Sequence, residues 1–110
     1  MKRSFTQLEL IKLLETNPLH IKVYYAEVDK LGEGDYIFLD GIQDIPIAND
    51  NSACYQEQVQ ISIYCKQEPH RKKTVQFVKD NFLCSVVKRK DEENEYYVAD
   101  CTTSLFISDW

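Results

Sequence analysis

The chain is poor in glycine and proline, with three of each in 110 residues. That leaves no flexible or low-complexity linker, so residues 1–110 are expected to form one domain. Long apolar runs are missing too. A membrane-spanning helix needs roughly 18 or more consecutive apolar residues, and nothing here approaches that. The opening stretch MKRSFTQLELIKLL begins with two basic residues, but Gln7, Glu9 and Lys12 interrupt its apolar positions. Without a continuous apolar stretch it lacks the pattern of a secretion signal. It is expected to be an amphipathic helix of the mature fold, in a chain that stays in the cytoplasm.

Chemistry-bearing motifs are equally scarce. Cys54, Cys65, Cys84 and Cys101 include no C-x-x-C pair, so four reduced thiols are expected, without a disulfide or zinc. No phosphate-binding glycine loop and no G-x-S-x-G elbow occurs. His20 and His70 each open an element just after a proline, with no cysteine signature beside them. Asn49-Asp50-Asn51 faintly suggests a calcium loop, yet the glycine and distal glutamate of an EF-hand are missing. The carboxylates Asp91, Glu92, Glu93 and Glu95 fall in a turn, where water keeps them ionised and ordinary. No catalytic, metal or cofactor site is expected.

A surplus of positive charge is also absent. The net charge is −5, from 13 basic and 18 acidic residues, which disfavours phosphate backbones unless cations are gathered on one face. The run Lys88-Arg89-Lys90 leads directly into Asp91-Glu92-Glu93, so the two fields are expected to cancel within a Debye length. Nucleic acid is not expected as the main partner.

What is present is patterned. Residues 4–15 have helical spacing, with Leu8, Ile11 and Glu15 on one ridge and Leu10, Leu13 and Leu14 beside it. Ser4 and Gln7 have capping-box spacing, and Asn17-Pro18 ends the run. Residues 20–28 alternate as a strand with Ile21, Val23 and Tyr25 inward, and residues 36–42 make another. The turn between them, with Gly32 and Gly34 supplying positive φ, predicts an antiparallel hairpin. Residues 43–53 (QDIPIANDNSA) predict an irregular loop, since Pro46 cannot donate to a ladder.

Residues 56–66 give the cleanest period of two, with Val59, Ile61, Ile63 and Cys65 on one face. A helix over 70–82 follows, striped by Val75, Val78 and Phe82, which should pack on that face. Two strands over 84–90 and 95–108 close the chain as a hairpin. The expected fold is therefore α+β: about five strands in an antiparallel or mixed sheet packed against two α-helices, in the order α-β-β-β-α-β-β.

A core alone does not account for seven tyrosines. Neighbours on a strand face opposite ways, so one member of Tyr24-Tyr25 and one of Tyr96-Tyr97 should point away from the core. Tyr64 lies on the polar face of its strand. Such tyrosines suit protein contacts, or simply belong to a partly exposed sheet. Ile45 and Ile47 add apolar surface to a loop that otherwise reads as solvated. The candidate interaction residues are therefore Tyr24, Tyr64 and Tyr96 with Ile45, Ile47, Asn49, Asp50 and Asn51.

This order of elements resembles the tail terminator (tail completion) proteins of long-tailed bacteriophages. The likeness rests on an Asn/Asp loop leading into a Gln-rich alternating strand, NDNSACYQEQVQISIYCK, then the helix stripe VQFVKDNF and the final strand YYVADCTTSLFIS. The resemblance implies a structural protein without an active site, made in the bacterial host and carried in the virion tail. It would form a ring, usually of six subunits, at the head-proximal end of the tail tube. There it would meet tube and connector proteins, with DNA passing through the ring but not specifically bound. The alternative class is a small cytoplasmic binding module: an antitoxin, immunity or adaptor protein. An enzyme would require one of the four thiols to be exposed and of low pKa.

Overall fold

The computed structural model describes residues 4–25, 34–46 and 55–107, with the backbone alone at Ser4, 41–46 and 55–57. The chain runs β1 (Ser4–Phe5), α1 (Gln7–Glu15), β2 (Lys22–Tyr25), β3 (Tyr36–Pro46), β4 (Tyr55–Cys65), α2 (Glu68–Asn81), β5 (Cys84–Asp91) and β6 (Tyr96–Ile107). Apart from the two-residue β1, this is the expected α+β order. The sheet order is β5-β6-β4-β3-β2, and β1 joins the edge of β6 beyond the end of β5.

β4 is the central ribbon, antiparallel to both β3 and β6. Its face Val59, Ile61, Ile63 and Cys65 is fully buried. Val75 and Val78 of α2, with Phe82 that caps it, join that face in one cluster with Leu10 and Leu14 of α1. The apolar period of two thus meets the apolar period of 3.6, and both helices lie on one side of the sheet.

Four expectations are corrected. The first helix does not begin at Ser4. Thr6 is its N-cap: the Glu9 N–H donates to Thr6 Oγ1 at 3.1 Å, and the Thr6 N–H donates to Glu9 Oε1 at 2.9 Å. Glutamate at the third helical position accepts a charge-assisted bond that the alternative Ser4/Gln7 box cannot match. Ser4 and Phe5 are freed to pair with Phe106 and Ile107, and Phe5 buries its ring 5.9 Å from that of Phe82.

Second, β2 and β3 are parallel, not a hairpin, with Lys22 to Tyr25 beside Tyr36 to Leu39. A parallel pair requires the chain to return the length of the strand. The stretch between Tyr25 and Tyr36 can span roughly 33 Å, whereas a four-residue strand is about 13 Å long. Val23 is buried but Tyr25 stays 42% exposed, beyond the cover of the helices. Gly34 does not use positive φ; Gly32 lies outside the described residues.

Third, residues 43–46 belong to β3 and not to a loop. A register shift between Gly41 and Gln43 absorbs one residue, after which Gln43 to Pro46 pair with Gln58 to Tyr55. Pro46 is the last residue of the strand, where a missing N–H costs least. The rest of the expected loop, 47–53, lies outside the described residues.

Fourth, α2 begins at Glu68, because Pro69 sits in its first turn and needs no donor there. The close of α1 is more elaborate than a proline stop. Buried Asn17 donates from Nδ2 to the carbonyls of Leu14 and Ile21, at 2.8 and 2.9 Å. Its Oδ1 accepts from the N–H groups of Leu19 and Ile21. One amide thereby satisfies the corner between α1 and β2 on both sides.

Candidate interaction face

The face of the sheet turned away from the helices carries a second, smaller core. Register places Tyr36 opposite Tyr64, Tyr24 beside Phe38, and Tyr64 opposite Val98. The Tyr36 and Tyr64 rings are stacked, 4.6 Å between centroids and 12° between planes. Tyr96 stands edge-on to both at 5.5 and 5.7 Å, and Tyr24 edge-on to Tyr36 at 6.3 Å. Beneath them Val98 is wholly buried, although no helix covers this side among the described residues. Aromatic rings can seal such a patch because each brings large area at the cost of few torsions.

Cations rim the cluster. Lys66 Nζ lies 3.8 Å from the Tyr96 ring centre, Lys22 Nζ 5.4 Å from that of Tyr24, and the Arg89 guanidinium 5.8 Å from that of Tyr64. These are cation–π distances. Arg89 is fixed further: Nε donates to Asp100 Oδ2 at 3.0 Å and Nη2 to the Tyr64 hydroxyl at 3.2 Å. Asp100 Oδ1 accepts from Ser62 Oγ at 2.8 Å and from Gln60 Nε2 at 3.3 Å. Asp100 holds the Arg89 proton more firmly than usual. Burial, reinforced by Tyr64 and Tyr96, pushes the Tyr36 phenol up to about 12. It is a neutral group at physiological pH, not a base.

Of the expected contact residues, Tyr24, Tyr64 and Tyr96 are brought together on this one face. Tyr96 points away from the helices as expected, yet it is only 7% exposed, and its hydroxyl donates to the Gly34 carbonyl at 3.1 Å. Its role is to close the cluster; Tyr24 and Tyr64, half-buried, carry more of the accessible ring surface. The backbone of Ile45 is in β3, and Ile47, Asn49, Asp50 and Asn51 lie outside the described residues. Sequence reasoning did not single out Tyr36, Phe38, Val98, Lys66 and Arg89. The i, i+2 spacing of Tyr96 with Val98, and of Tyr36 with Phe38, was the available signal.

Cys65, Cys84, Cys101 and His70 have structural surroundings, and Cys54 lies outside the described residues. Burial pushes Cys65 and Cys101 up to about 12 and raises Cys84, the reverse of a nucleophilic thiolate. His70 Nδ1 lies 2.9 Å from Asp35 Oδ2, and Asp35 Oδ1 accepts from the Lys66 N–H at 2.8 Å. The pair ties the entry of β3 to the first turn of α2. Among the described residues no cluster of His, Cys, Asp and Glu has the form of a metal site, and no helix is long and apolar enough to cross a membrane. No protein-family model matches the sequence, and no match is found among curated proteins.

Proposed function

We propose that this chain is a structural assembly protein of the tail-terminator kind, a ring subunit that docks on its neighbours through the tyrosine-bearing face of its sheet. The observation that carries the reading is that face itself: Tyr36, Tyr64 and Tyr96 in mutual ring contact with Tyr24 against Tyr36, rimmed by Lys22, Lys66 and Arg89, on a side without a covering helix among the described residues. Half-buried tyrosines held rigid by their neighbours lose little freedom on docking. The order of helices and strands supports the same reading through the resemblance.

Light scattering coupled to size exclusion, run across a wide range of concentrations, tests it. A discrete oligomer, visible as rings by electron microscopy, is the expected result, and Tyr24→Ser with Tyr64→Ser should dissociate it without unfolding the subunit. A monomer at every concentration would remove the ring and leave a binding module for a different protein.

A further inference from the structure

β5 is an eight-residue edge strand, and among the described residues it pairs with β6 on one side only. Its phase can be read from one side chain. Arg71 Nη1 donates to the carbonyls of Arg89 and Val98, at 3.3 and 3.4 Å, and these two residues are register partners. One nitrogen reaches both carbonyls only if both lie between the strands. Arg89 and Val98 therefore exchange ladder bonds, and alternation turns the N–H and C=O groups of Val86, Lys88 and Lys90 to the open side.

The side chains of those three residues lie on the helix face, since they pair with Cys101, Ala99 and Tyr97. Lys90 Nζ and the Arg71 guanidinium lie 5.2 and 5.5 Å from the same Tyr97 ring centre. Lys79 of α2 acts on Cys84 and Cys101 near the other end of the strand. Glu68, 3.9 Å from Arg71, answers that cation alone. Among the described residues no ion pair reaches Lys79, Lys88 or Lys90. The pleat thus separates what the sequence runs together: Arg89 turns to the outer face and is paired with Asp100, while the lysines stay on the other side. Val87 on the outer face and Leu83 just before the strand are 64% and 77% exposed.

We propose that the open edge of β5 is a docking site for an extended acidic peptide segment, which adds to the sheet as a further strand. An antiparallel addition would place acidic residues opposite Lys90 and Lys88 and apolar ones opposite Val87 and Val86. The partner's order is then acidic, any, acidic, apolar, apolar. A second copy's β5 answers the charge less well, because its one acid, Asp91, lies on the outer face with Arg89 and cannot stand opposite Lys88 or Lys90. A nucleic-acid strand would meet the charge but offers no peptide groups for the ladder. The site does not rest on the ring reading and holds equally for a monomer.

The test uses the full chain and two synthetic peptides, one bearing Glu-Thr-Glu-Val-Val and one with lysine for each glutamate, beside a single-stranded oligonucleotide. By NMR, the glutamate peptide should shift the amides of Val86, Lys88 and Lys90. Its affinity should fall with salt. Lys88→Glu with Lys90→Glu should weaken it about tenfold or more and transfer the preference to the lysine peptide. Lys88→Pro, which removes an outward N–H but no β6 bond, should weaken it as well. Four results would overturn the proposal: no binding, equal binding of both peptides, shifts confined to the tyrosine face, or binding of the oligonucleotide alone.

Discussion

Tyr36 and Tyr64 sit directly opposite each other on β3 and β4, with rings stacked 4.6 Å apart on the side of the sheet remote from the helices. The pair gives that side a core of its own. Tyr64→Ala should cost about 2 kcal/mol of stability, because Tyr64 is half-buried and its loss uncovers Val98. A double-mutant cycle with Tyr36→Ala should return a coupling of about 1 kcal/mol. Additive effects in urea denaturation would mean that the stack carries no energy of its own.

Asn17 should be the costliest polar residue to replace. Asn17→Ala strips partners from the buried peptide groups of Leu14 and Ile21, for a loss of about 3 kcal/mol. Thr16→Ala is the matched control: its hydroxyl bonds the Leu13 carbonyl in an exposed setting, so about 0.5 kcal/mol is expected. Similar melting temperatures for the two variants would refute the corner clamp.

Val78 is fully buried between α2 and the sheet. Val78→Asp should cost about 4 kcal/mol or more, since the new carboxylate would be buried in an apolar cluster. A melting temperature within a degree or two of the parent would contradict the packing of α2 on β4.

Alkaline pH should unfold the protein early. Cys65 and Cys101 are raised from 9.0, and Tyr36 from 10.0, all to about 12. The folded state keeps these protons while the unfolded chain releases them, so stability is intact below pH 9 and falls as pH rises from there toward 12. Tyr36→Phe should flatten the part of the decline above pH 10. Denaturation midpoints taken across this range, with native-state thiol labelling that leaves Cys65 and Cys101 slow, provide the check.

The sequence by itself determined the elements whose physics is local or periodic. Alternation over Val59, Ile61, Ile63 and Cys65 and the stripe of Val75, Val78 and Phe82 specified β4, α2 and their contact, because burial imposes both periods. Residues with competing local solutions were decided by tertiary contacts. Ser4 could have capped a helix, but Phe5 gains more from the core beside Phe82, and Thr6 takes over the cap. The direction of β2 had no local signature, because its connection is long enough to serve either a hairpin or a return. The tyrosine face depended on cross-strand register, which joins Tyr36 to Tyr64 and Tyr24 to Phe38 over distances in sequence that no periodicity reports. Charge followed the same rule: Lys88-Arg89-Lys90 is one cluster in sequence and two in space, because a strand sends neighbouring side chains to opposite faces of the sheet.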